Sequence, residues 1–86
     1  MGNLSKLPNI GKVVEAQLNR AGIMTEQDLK AAGAEQAWLR IQQFDPSACI
    51  HRLLSLEGAT QGVQKTQLPP ERRQELKAFY EQHKNY

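Results

Sequence analysis

The chain has 86 residues, 40% hydrophobic and 23% charged, and eleven Lys plus Arg against nine Asp plus Glu leave a net charge of only +2. That length holds one domain, residues 1–86, with a modest core, and the ordinary composition excludes a disordered chain. The single cysteine, Cys49, excludes an internal disulfide and fits a reducing, cytoplasmic setting, while no apolar run is long enough to span a membrane.

The first residues, MGNLSKLPNIGK, lack the apolar stretch of a secretory signal, and Lys6 stands where a myristoylation start carries Ser or Thr. Leu7-Pro8-Asn9-Ile10-Gly11 reads as a tight turn. Proline fixes φ near −65°, and Asn9 and Gly11 are residue types that tolerate left-handed backbone. From Lys12 to Ala21, Val13, Val14, Leu18 and Ala21 recur near a 3.6-residue period. Gly22 then stops the helix, and Ile23 can make the apolar contact of a Schellman motif. Thr25 is an N-cap with Asp28 at the capping-box position, opening a short helix that stops at Gly33. A further helix runs from Ala34 to Phe44, with Ala37, Trp38, Ile41 and Phe44 on one side and the only tryptophan as core anchor.

Asp45-Pro46 reads as an N-cap followed by proline at the first helical position. The helix it opens is expected to run from Pro46 to about Gly62, with Cys49, Ile50, Leu53, Leu54 and Leu56 as its apolar stripe. Gln64 to Leu68 is a polar connector, and Pro69-Pro70-Glu71 opens a last helix to about His83, with Leu76, Phe79 and Tyr80 inward. The tail from Glu81 to Tyr86 is expected to fray. The pattern predicts an all-α fold, a compact bundle of about five short helices.

No catalytic constellation emerges. Cys49 and His51 lie two apart on a predicted helix and point to different faces. Cys49 is expected in the core, His51 on the solvated side and His83 isolated near the end. These residues lack the number and spacing of a metal site, and nothing calls for a cofactor.

The amino-terminal turn is more informative. Leu4-Ser5-Lys6-Leu7-Pro8-Asn9-Ile10-Gly11 resembles the hairpin of the helix-hairpin-helix motif, in which backbone N–H groups and the next helix N-terminus hold a DNA phosphate. Asn9 stands at the usual first glycine and Glu15 at a position often held by a small alanine. The segment is also similar to the Pro-Asn-x-Gly-Lys turn of the bacterial RNA polymerase alpha C-terminal domain, with Val13 and Val14 in place of Lys and Ser. The nucleic-acid candidates are therefore Lys6, Asn9, Gly11 and Lys12, with the lysines adding long-range attraction. The alternative reading leaves Asn9 and Gly11 as plain turn residues and Lys12 as a solvated one.

Gly58-Ala59-Thr60-Gln61-Gly62 puts two glycines four apart, a strip that admits close packing by a neighbouring helix or by a partner. Arg72 and Arg73, with Lys77 and Lys84, give the last helix a basic side interleaved with Glu71, Glu75 and Glu81. Gly58, Gly62, Arg72 and Arg73 are the candidate partner interface.

Five blocks in order, LPNIGKVVEAQLNRAGI, TEQDLKAAGA, AWLRI, LSLEGATQG and LPPERRQELK, resemble the TfoX (also called Sxy) C-terminal domain family from about Leu4 to Tyr80. The resemblance implies a compact helical domain of helix-hairpin-helix or SAM-like type, associated with bacterial competence regulation and carrying no catalytic residues. The function expected is a non-catalytic regulatory module with weak, non-specific DNA contact at the hairpin and a tethered regulatory protein, present as monomer or weak homodimer. The rival is a protein–protein interaction domain without a nucleic-acid role, using the glycine strip or an apolar patch near Leu54 and Leu56.

Overall fold

The computed structural model describes residues 3–84, so the myristoylation question at Met1 and Gly2 and the last two residues of the tail lie outside the described residues. A 3-10 turn, Asn3–Lys6, leads to α1 (Lys12–Arg20), α2 (Glu26–Gln42) and α3 (Ile50–Gln61); a second 3-10 turn, Lys65–Gln67, precedes α4 (Pro70–His83). No strand occurs among the described residues, and the fold is all-α. Helix α4 continues through the expected start of fraying and ends at His83.

The helix ends are built from local chemistry. Gly22, at φ 88°, closes α1 with Ile23 N–H on Leu18 O (2.8 Å) and Gly22 N–H on Asn19 O (3.0 Å), the Schellman pair. Ile23 and Leu18 are both buried, which supplies its apolar contact. Thr25 and Asp28 form a reciprocal capping box, with Asp28 N–H on Thr25 Oγ1 at 3.1 Å and Thr25 N–H on Asp28 Oδ2 at 3.3 Å. The two helices expected on either side of Gly33 are both present within α2 and meet at a kink, where Gly33 takes φ 82°, ψ 160°. That region is open essentially to glycine alone, so the chain bends there without a connecting loop.

One boundary differs from the sequence expectation. Asp45-Pro46 does not open a helix; α3 begins at Ile50, with Cys49 as its N-cap in extended backbone. Asp45 accepts Ser47 N–H at 3.1 Å, and Ala48 N–H returns to Asp45 O at 3.0 Å, so residues 45–48 close a turn. Gln17 from α1 donates to the Asp45 carboxylate at 2.6 Å, and Arg52 lies 3.5 Å from it. Asp45 Oδ1 thus makes the amide contact of a cap, while its Oδ2 ties α1 to α3, but the turn it opens closes at Ala48 and does not continue as helix. Cys49 is consequently half-buried at a helix start and outside the core.

The core is centred on Trp38, fully buried, with Phe79 and Tyr80 of α4 meeting its ring edge-on at 6.2 and 5.6 Å between centroids. Leu29, Ile41, Leu53, Leu56 and Leu76 fill the space between α2, α3 and α4. Leu4 and Ile10, both buried, pin the two ends of the amino-terminal hairpin to this core. The expected connector from Gln64 to Leu68 contains the second 3-10 turn, stabilised by Gln64 N–H on Gln67 Oε1 at 3.1 Å.

Candidate nucleic-acid interface

The hairpin is made by two successive turns, Leu7 N–H on Leu4 O (3.0 Å) and Ile10 N–H on Leu7 O (3.3 Å). Asn9 has φ 70°, the left-handed geometry expected of it. Gly11 does not: at φ −95°, ψ −174° it is extended, a conformation open to any residue. Its value is space. A Cβ at Gly11 would meet nothing within 4 Å, so the approach to the start of α1 is open.

Gly11 is the N-cap of α1 and supplies no side-chain cap. The first helical bond is Glu15 N–H on Gly11 O at 2.9 Å, which leaves the amides of Lys12, Val13 and Val14 without intrahelical acceptors. Gly11, Lys12 and Val13 are exposed. Aligned amides and the helix dipole make such an end attractive to an anion. Glu15, the acidic residue of the first turn, has its carboxylate engaged by the Ser5 amide at 3.2 Å.

Asn9 plays a different part from the one read in the sequence. Its side chain turns inward, where Nδ2 donates to Val63 O (3.1 Å) and Ser55 O (3.4 Å) and Oδ1 accepts Lys65 N–H (3.2 Å). Its amide nitrogen and oxygen are both engaged by the protein, so Asn9 positions the hairpin. The same contacts bring Lys65 to the hairpin, a residue assigned in the sequence to a polar connector. Nothing local signals a partner 56 positions away; the one clue is that an asparagine replacing a turn glycine carries an amide that must be satisfied.

The basic residues here are not ion-paired, and the nearby Glu15 carboxylate is taken by the Ser5 amide. Among the described residues, Lys6, Lys12 and Lys65 make no ion pair, and Lys6 and Lys12 are exposed. Elsewhere carboxylates are concentrated on Arg72, whose Nη2 lies 2.9 Å from both oxygens of Glu35 and 3.0 Å from Glu57, and whose Nη1 lies 3.1 Å from Glu75. Glu57 is only 7% exposed. Burial alone would raise its pKa, but hydrogen bonds from Arg72 and Gln61 more than reverse this and hold the carboxyl below its ordinary value. The hydrogen bond to Glu57 is also the main reason that the Arg72 guanidinium is held protonated even more firmly than usual. This cluster joins α2, α3 and α4.

The four partner-interface candidates are therefore separated by environment. Gly58 is buried inside the domain, where a Cβ would lie 2.5 Å from Asn9 Nδ2 and 2.7 Å from Val63 O. The close approach its sequence position suggested is thus made by the hairpin's own asparagine, in place of a helix crossing. Gly62, exposed at φ 73°, ends α3, Arg72 is half-buried in the carboxylate cluster, and Arg73 is exposed. The apolar patch expected near Leu54 and Leu56 is not on the surface, because Leu56 is fully buried and Leu54 half-buried. The large hydrophobic residues exposed among the described residues are Val13, at 70%, and Met24, at 50%.

His51 is exposed, as expected. His83 is less isolated than the sequence suggested, since its ring stacks on Phe79 at 4.1 Å and Gln42 Nε2 donates to its carbonyl at 2.7 Å. Among the described residues no group of three His, Cys, Asp or Glu is placed to hold a metal, and no helix is long and apolar enough to cross a membrane.

The chain is 40% identical to Protein Sxy of Escherichia coli (strain K12) over 73 residues, which make up 85% of this chain. It spans about a third (35%) of the length of that relative. Two crystal structures from Listeria monocytogenes, of an uncharacterized protein and a protein of unknown function, share the fold. One has 45% identity and a TM-score of 0.89, covering 96% of this chain and 98% of that one. The other has 48% identity and a TM-score of 0.91, covering 93% and 98%. The TfoX C-terminal domain family matches residues 1–80, and on that match, together with the Sxy relative, the chain belongs to the TfoX C-terminal domain family.

Proposed function

We propose that this domain is a non-catalytic regulatory module that contacts the phosphate backbone of DNA through its amino-terminal hairpin and tethers a second protein there, in transcription or competence control. The observation that carries this reading is the uncapped start of α1, exposed at Gly11, Lys12 and Val13 and bordered by lysines without acidic partners. Free amides hold a phosphate oxygen in place, and Lys6, Lys12 and Lys65 supply the surrounding attraction. Backbone amides read no base, so binding is non-specific. The hairpin's own three contacts contribute a slope of log K against log salt of about −2.7.

Exposed apolar surface is too sparse to favour a purely protein-binding module. Electrophoretic titration of a random-sequence duplex at low salt tests the proposal with Lys12→Glu. Reversing this charge beside the amides is expected to weaken binding about tenfold or more, from the loss of one attraction and the gain of one repulsion. Equal affinity for variant and parent, or no binding by either, removes the hairpin from the reading.

A further inference from the structure

Over its first two turns helix α4 separates its charges, although the sequence interleaves them; Glu81, one turn beyond Lys77, is paired with Lys84. Arg73 and Lys77 are four residues apart and so lie one above the other, while Glu71 and Glu75 are each displaced from Arg73 by two positions, about 160° around the helix. Arg72 draws Glu35, Glu57 and Glu75 to itself, and Arg73 and Lys77 are left without an ion pair among the described residues. These two cations, with Pro70 and Gln74, line an open groove along the exposed side of the helix. Neither Val13 nor Met24, the large exposed hydrophobic residues, belongs to this helix. A protein partner generally meets an apolar centre within a polar rim, and this flank has only the polar part. A polyanionic backbone suits it better.

We infer that the Arg73–Lys77 flank is a second phosphate contact for the same DNA duplex that the hairpin holds; the inference rests on the function proposed above. Continuity of the chain supports it. Lys65, fixed by Asn9 at the hairpin, is five residues from Pro70, a span of at most about 18 Å, and Lys77 lies about 10 Å further along α4. The longest dimension of the molecule is 33 Å, so one turn of duplex, about 34 Å, is long enough to reach both. The guanidinium of Arg73 can take a phosphate with two parallel hydrogen bonds, and Lys77 adds a point charge beside it.

The test is the salt dependence of binding to a 20-base-pair random duplex, measured by fluorescence anisotropy between 50 and 200 mM salt. Five contacts give a slope near −4.5 and an affinity loss of about 500-fold over that range; three give about 40-fold. The full chain is expected to show the steeper loss, and the Arg73→Gln/Lys77→Gln variant the shallower one, with unchanged thermal melting. A double variant with the parent's affinity and slope, while Lys12→Glu binds weakly, overturns the second contact and leaves the hairpin reading standing. Unimpaired binding by Lys12→Glu, or no binding by the parent chain, overturns both. Displacement of α4 amide resonances by a polyglutamate peptide, with none by duplex, assigns the flank to an acidic protein segment and overturns the inference as well.

Discussion

Replacing Asn9 with alanine is expected to loosen the whole amino-terminal site. The side chain makes two good hydrogen bonds, to Lys65 N–H at 3.2 Å and Val63 O at 3.1 Å, and a longer one to Ser55 O at 3.4 Å. Net loss is about 1 kcal/mol for each good bond, and somewhat more where the remaining partner stays buried and unpaired. Alanine must also hold φ near 70°, a left-handed conformation that costs about 1 kcal/mol more than for asparagine or glycine. The sum is about 3–4 kcal/mol. Asn9→Gly loses the same hydrogen bonds without the backbone penalty, so it should be milder by about 1 kcal/mol. Urea unfolding at 25 °C measures both variants, and for a domain of this size the alanine change lowers Tm by roughly 20 °C. A loss below about 1 kcal/mol for Asn9→Ala would refute the pinning of the hairpin through this side chain. A glycine variant weaker than the alanine one would refute the backbone part.

Gly58→Ala places a methyl group 2.7 Å from the Val63 carbonyl and 2.5 Å from Asn9 Nδ2, and should cost about 1–3 kcal/mol of overpacking, less the 0.5–1 kcal/mol that alanine gains in a helix. The cost should shrink in an Asn9→Ala background, which a double-mutant cycle would register as coupling. Arg72→Met leaves Glu57 buried without its cation and is expected to cost about 3 kcal/mol at pH 7. In the parent chain the Glu57 and Asp45 carboxyls are held below their unfolded values, so their contribution is complete above about pH 4.5 and is lost as pH falls through the folded values. In Arg72→Met burial is left to raise the Glu57 pKa, and acidification relieves the variant. The stability gap between the two chains, read by urea titration at pH 7 and pH 4.5, should narrow at the lower pH; a constant gap would contradict the cluster.

Much of the fold is written locally. Thr25 with Asp28, Gly22 with Ile23, and proline at the start of α4 each specify a helix end by chemistry confined to a few residues, and each stands where the sequence put it. Gly33 signals a break and helix resumes directly after it, as the periodicity from Ala34 indicates; the kink angle is left to the packing of Leu29, Ala34 and Trp38 into one core. Asp45-Pro46 misleads differently. The dipeptide suits a helix start and Asp45 does accept the Ser47 amide, but the turn closes at Ala48 and α3 starts afresh after Cys49. The candidate site divides in the same way. The exposed turn with Lys6, Gly11 and Lys12 is legible, since its chemistry is backbone and charge. The inward Asn9, the closeness of Lys65 and the burial of Gly58 are contacts across 46 to 56 positions, and no local pattern announces them.

The most direct measurement is an amide-resolved NMR titration of the full chain with a short duplex at low salt. If α1 presents bare amides to a phosphate, the resonances of Gly11, Lys12, Val13 and Val14 should move first and furthest, and Lys12→Glu should suppress the movement. Duplex binding that leaves these four amides in place, whatever else it shifts, would contradict a hairpin that holds phosphate.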